Sequence, residues 1–232
     1  MLLAAIVLAA SPVPAASRQL VLSVSEGWEA TAAEVRLYER KAGTAAWTPL
    51  GPEKRASLGR SGLGWGRGLH EAGLPGPSKR EGDGKAPAGV FDLRSATGYA
   101  ATPPPGTRLP YRTATPMLRC VDDVRSAFYN QLVDEAEVTK DWSSAEMMRR
   151  ADDLYRLVVW VGHNDAPAVA GSGSCIFLHL RRSATAPTEG CTSFDPASME
   201  ELLTWLHPAA RPVLVQLPRP VYRELGASWG LP

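Results

Sequence analysis

The chain has no apolar run of the ~20 residues that a membrane-crossing helix needs, so no integral membrane segment is expected after the N-terminus. It also lacks a block of like charge. With 25 Lys plus Arg against 24 Asp plus Glu, the net charge is +1, and without a basic stripe nucleic acid is not an expected partner. The glycine-rich residues 61–70 show neither the G-x-G-x-x-G order that opens a helix nor the Lys-Ser/Thr of a phosphate loop. Gly171-Ser172-Gly173-Ser174 resembles a G-x-S-x-G elbow only superficially and reads as a flexible turn. Cysteines number three, with no C-x-x-C pair, which weakens a zinc reading. No cofactor and no resident metal are expected. No internal repeat is visible, and no linker clearly divides the chain.

What the chain has in quantity is turn residues: 21 Gly and 20 Pro suit a β-rich fold better than a helical bundle. Residues 19–25, 34–40, 55–60, 117–121, 156–162, 175–180 and 212–217 read as strands, those at 156–162 and 175–180 as buried apolar runs. Asp195 followed by Pro196 is an N-cap with proline at the first helical position. Met199, Leu202, Leu203 and Leu206 then fall on one helical face. A second, short helix is expected within residues 144–155, capped by Ser143 or Ser144. Residues 1–10 form an apolar segment and residues 11–17 supply small residues, so residues 1–16 are expected to be a signal peptide, cut after Ala15 or Ala16. Residues 17–232 then form a single domain, with its core at about 58–217.

An odd cysteine count in an exported chain implies a free thiol or an intermolecular bridge. Cys191 is the candidate free thiol. Cys120 and Cys175 can then pair in an oxidising compartment, although sequence does not supply the separation that such a bridge requires. Cys191 closes Thr188-Glu189-Gly190-Cys191, on the loop after the apolar strand that carries His179. An imidazole beside a thiol lowers its pKa and makes a nucleophile, and the same ring can protonate a leaving amine. The amides of Gly190 and Cys191 are candidate oxyanion donors. The rival readings are a buried inert cysteine, a core histidine, and a zinc set of Cys175, His179 and Cys191 with Cys120 or His163. A papain-type arrangement fits poorly, because here the histidine precedes the cysteine. Trp65, Arg67 and His70 are either groove lining or packing anchors. Asp122, Asp123 and Asn130 are either stem-peptide contacts or ordinary turn residues.

His179 on a strand followed by Thr188-Glu189-Gly190-Cys191, with Pro87-Ala88-Gly89-Val90-Phe91 upstream, resembles the L,D-transpeptidase catalytic domain family, the YkuD-like fold. The resemblance implies a mainly β, sandwich-like domain with one capped helix after the catalytic loop and long loop insertions. It implies Cys191 as nucleophile, His179 as general base and acid, and Gly190, Thr188 and Arg181 as oxyanion or substrate contacts. It also implies peptidoglycan stem peptides as the partner and a periplasmic or cell-envelope location. The reaction would release D-alanine through a thioester, and an amine would then form a cross-link or another attachment, in the service of wall synthesis and cell shape. Water as acceptor would make the protein an L,D-carboxypeptidase or amidase, and a site kept for packing would leave an envelope-binding domain. Two positions depart from the family pattern. Glu189 stands where histidine is usual and Ser193 where arginine is usual, so Arg181 and Arg182 are either solvated loop charges, the slightly preferred reading, or a substitute cation for a substrate carboxylate.

Overall fold

The structure is a computed structural model and describes residues 11–165 and 167–232. It is mainly β, with 34% strand, 9% helix and two helices. The strands are β1 (Gln19–Ser25), β2 (Ala32–Glu39), β3 (Thr48–Ser57), β4 (Leu63–Trp65), β5 (Ala86–Gly98), β6 (Tyr111–Thr113) and β7 (Leu118–Val121). They continue with β8 (Leu132–Asp134), β9 (Ala145–Met147), β10 (Leu157–Val161), β11 (Phe177–Leu180), β12 (Thr192–Phe194) and β13 (Val213–Pro218). The helices are α1 (Pro196–Trp205) and α2 (Arg219–Leu225).

The main sheet runs β10-β11-β12-β3-β2-β1-β13-β5, and β5 also pairs with β10. The expected sandwich layers are therefore joined into a closed, barrel-like sheet, which leaves no free edge around its circumference. One strand makes the closure. β5 pairs with β13 from Gly89 to Asp92 and with β10 from Leu93 to Gly98, a bulge in β5 opposite Trp160 accommodating the bend. β1 to β3 all precede residue 58, so the sheet extends from Gln19 to Pro218. Ser11 and Val13 also lie against the body: Ser11 Oγ donates to the Trp229 carbonyl, and Val13 is buried.

Alternation along each strand divides the interior. Val21, Val35, Phe91, Val159, Leu178, Leu180 and Leu214 form the principal core with one face of α1. Met199, Leu202, Leu203 and Leu206 are fully buried there. Asp195 caps α1 as expected, its Oδ1 accepting from the Ser198 N–H at 2.9 Å. The opposite faces of β1, β13 and β5 pack against Trp65 and Trp229 in a second cluster.

Residues between β5 and β10 form an inserted unit whose sheet has the order β8-β7-β9. It covers the outer face of β10 and β11, where Val158, Trp160 and Phe177 meet Leu118, Cys120 and Met148. The helix expected within 144–155 is not formed. Ala145 to Met147 pair instead with Arg119 to Val121 as β9, an outcome in which tertiary pairing overrides good helix formers. Cys120 and Cys175 form a disulfide, Cα to Cα 5.9 Å, which ties the insert to the segment entering β11.

Candidate active site

Three pieces of chain converge. β11 carries Phe177 and His179 on the face turned toward the insert, since Leu178 and Leu180 occupy the core. β12 runs parallel to β11, with Leu178 opposite Thr192 and His179 opposite Ser193, which brings Cys191 alongside β11 just before the strand begins. The third piece is β5, whose Pro87 carbonyl accepts from Gln216 Nε2 at 2.9 Å while Thr192 and Ser23 donate to Gln216 Oε1. This buried amide, bonded at both its nitrogen and its oxygen, clamps the strand after Cys191 to β5 and β1.

The Cys191 thiol is buried and accepts from the Phe177 N–H at 3.3 Å, while its own hydrogen points to the Cys175 carbonyl at 3.5 Å. His179 Nδ1 lies 2.7 Å from the Leu180 carbonyl. A carbonyl can only accept, so Nδ1 carries the hydrogen and Nε2 is left with its lone pair. Cys191 and His179 both line one cavity of about 280 Å³.

Protonation follows burial. His179 is pushed down to about 4, first by desolvation, against the pull of the Leu180 carbonyl. Burial pushes the Cys191 thiol far up, and the nearby charge of Glu146 adds to this. The lowered thiol pKa expected from an adjacent imidazole is therefore not the resting condition. The pair rests as thiol and neutral imidazole, because each would be charged in a poorly solvated place.

Gly190 is required in the loop that leads into Cys191. Its φ of 150° lies in a region side chains rarely adopt, and a Cβ would stand 3.1 Å from the Lys85 carbonyl. Its N–H donates to Thr188 Oγ1 at 3.1 Å, and that hydroxyl donates to the Cys191 carbonyl at 2.6 Å. Thr188 thus staples the loop, and the Gly190 amide, one of the two expected oxyanion donors, is already engaged. Gly89 is required for a related reason, since a Cβ there would lie 2.0 Å from His70 Cε1.

Arg181 is not brought to the site. It pairs with Asp195 at 3.5 Å beside α1, and the arginines that line the cavity are Arg182 and Arg150. Glu189 pairs with Arg60 at 2.6 Å on the surface. Ser193 lines the cavity, and its buried hydroxyl has no partner among the described residues. Trp65 and His70 are packing anchors, their rings in tilted contact with each other and with Trp229. Arg67 lies away from the thiol cavity; its N–H donates to His163 Nδ1 at 3.2 Å. Asp123 is a turn residue that accepts from the Ser143 N–H and hydroxyl. Asn130 accepts from the Cys175 N–H at 2.9 Å and donates to the carbonyls of His163 and Asn164. The disulfide removes Cys120 and Cys175 from the zinc set, since a bridged sulfur is not a thiolate ligand.

Several cavity residues had no sequence motif to reveal them. Lys79 is buried, donates to Asp83 Oδ1 at 2.7 Å and stands 3.8 Å from the point a Gly190 Cβ would occupy. Its positive charge eases ionisation of Cys191. Glu146, Tyr155 and Arg150 come from the insert and the approach to β10, and Asp122, which the sequence had singled out, lines the cavity beside them. Only their clustering in the polar segments 76–85 and 117–156 could have signalled them.

The fold and site together define a mainly β domain in which a thiol and an imidazole open onto a shared cavity. The chain matches the model of the L,D-transpeptidase catalytic domain, YkuD, over residues 31–215, and it belongs to that family. No curated protein matches it. No solved structure matches it either.

Proposed function

We propose that the protein is a peptidoglycan L,D-transpeptidase with Cys191 as nucleophile and His179 as general base and acid. The observation that carries this reading is the tautomer of His179: with Nδ1–H held by the Leu180 carbonyl, Nε2 is the basic nitrogen, in the cavity that Cys191 also lines. Family membership supports the substrate class.

As the sulfur attacks a stem-peptide carbonyl, its proton passes to Nε2, so charge develops only with bond formation. The Cys191 amide is the candidate oxyanion donor, because the Gly190 amide is occupied. Collapse of the intermediate breaks the bond to D-alanine, whose nitrogen takes the proton from His179. An amine from a second stem then attacks the thioester and restores the thiol. Arg182, which lines the cavity, would meet a substrate carboxylate in the part that Arg181 was expected to fill. Residues 1–16 would be the export signal and residues 17–232 one catalytic domain, working in the periplasm or cell envelope; the Cys120–Cys175 disulfide supports an oxidising compartment. No described helix is long and apolar enough to cross a membrane.

The test is incubation with defined muropeptides and mass spectrometry. Wild type should release D-alanine and form a heavier cross-linked product, and Cys191→Ala should do neither. Shortened stems alone would make the protein a carboxypeptidase, and binding without any product would make it an envelope-binding domain. A second measurement is the pH profile of the first D-alanine released. Activity needs neutral His179, whose pKa is lowered to about 4. The acidic limb should therefore fall near pH 4, and a limb near the ordinary histidine value of about 6.5 would contradict the buried imidazole.

A further inference from the structure

Glu146 stands at the centre of β9, on the insert, yet it lines the same cavity as Cys191 and His179. It is anchored to the barrel side by the hydroxyl of Tyr155, which donates to Glu146 Oε2. The Tyr155 ring meets His179 edge-on at 5.2 Å and Phe177 at 5.6 Å, and Phe177 is the residue whose N–H holds the Cys191 sulfur. Glu146 is therefore placed by the residues that place the nucleophile. No cation lies within ion-pairing distance of it among the described residues. Arg150, the nearest candidate in the cavity, is engaged with Asp152 at 2.8 Å and lies over the Tyr155 ring.

This placement does not favour the first half of the reaction, because a negative charge beside a thiol opposes its ionisation. It does suit the second half. An amine arriving at neutral pH is an ammonium with no lone pair, and it must lose a proton before it can attack a thioester. His179 is available for only one proton in that step, the one released as the new bond forms. A second base is needed for the first.

We propose that Glu146 is the residue that binds the incoming ammonium and takes its first proton, so that the Cys191 thioester is passed to amines in preference to water. This rests on the acyl-transfer reading above. In the binding step the ammonium gives one proton to the Glu146 carboxylate, leaving a neutral amine and a carboxylic acid. The amine lone pair then attacks the thioester carbonyl, the N–C bond forms and the C–S bond breaks. The second proton passes through His179 Nε2 to the leaving sulfur, which restores the thiol. Glu146 returns its proton to water at the cavity mouth, so the net change is ammonium and thioester to amide, thiol and one proton. The carboxyl is suited to this exchange: burial pushes it up to about 7, where it takes and returns a proton readily. The groups that bear on it are Tyr155, Asp122, Arg150, Glu81 and Cys191.

The experiment uses the full chain and a Cys191 thioester formed in a single turnover on a defined muropeptide, then challenged with either of two amines. One is an ordinary aliphatic amine, which is protonated at pH 7. The other is hydroxylamine, which is already neutral there and needs no first deprotonation. In Glu146→Gln, which keeps an oxygen for Tyr155 to donate to, the rate ratio of aliphatic amine to hydroxylamine should fall by ~100-fold, and hydrolysis should gain at the expense of transfer. Glu146→Asp should recover part of that ratio. Equal losses for both amines, or an unchanged ratio, would overturn the proposal and leave Glu146 as a support for Tyr155. If wild type forms no thioester and releases no D-alanine, the acyl-transfer reading itself fails, and this role fails with it.

Discussion

The closed sheet and the insert that covers it are built on different terms. In the sheet, long registers hold the strands: β1 and β2 pair from Gln19 to Ser25, and β5 is paired along almost its whole length by β13 and β10. Its core draws on strands distant in sequence together with one face of α1. The insert has strands of three or four residues and a small cluster of Val121, Val133 and Trp142 of its own. Much of its packing is borrowed from β10 and β11 through Phe177, Trp160 and the disulfide. The sheet supplies Cys191 and His179, whereas the insert supplies Glu146 and Asp122. The part that can make its own core carries the candidate nucleophile. The part that cannot forms the facing wall of the cavity, where contacts to a substrate can vary without unfolding the domain.

The largest effect should come from breaking the sheet. Phe91→Ala removes a fully buried ring from the principal core and should cost about 4 kcal/mol, measured by denaturant unfolding, with the loss shared by every strand. A loss confined to the insert would invert the comparison. Next is the double variant Cys120→Ser with Cys175→Ser. It opens a loop of 55 residues, and chain entropy sets the stabilisation removed at about 4 kcal/mol or less. Hydrogen exchange should quicken first in β7 to β9 while β1, β5 and β13 stay protected; equal loss in both would mean that the insert and sheet unfold as one unit. The smallest effect is expected from Asp195→Ala, which deletes the α1 cap at a cost of about 1 kcal/mol, seen as a small shift of the unfolding midpoint. A much larger loss would show that the pairing of Asp195 with Arg181 holds the end of β11 as well.

Much of the sheet was legible because its signals are local. The run of residues 156–162 and the alternation in residues 34–40 correspond to β10 and β2, and the Asp195-Pro196 start of α1 is a property of neighbouring residues. β12 was not legible. Its three residues carry no period of their own, and it is a strand because β11 and β3 lie on either side of it. β9 was misread as helix because Ala145, Glu146 and Met147 favour helix in isolation, and only pairing with β7 decides otherwise. Arg181 and Arg182 were indistinguishable for a similar reason. The chain leaves β11 after Leu180, so alternation no longer tells which side chain turns to the cavity.

By itself the sequence determined which residues have the chemistry: a histidine at the end of a buried strand, a cysteine after a glycine on the following loop, and a helix cap beyond them. These are short-range facts, and neighbouring residues suffice to write them. Tertiary structure alone decided that the sheet closes, that Cys120 and Cys175 bridge, that the thiol and imidazole rest uncharged, and that Glu146 shares their cavity. Each of these depends on burial or on the distance between residues far apart in the chain, and a local pattern carries neither.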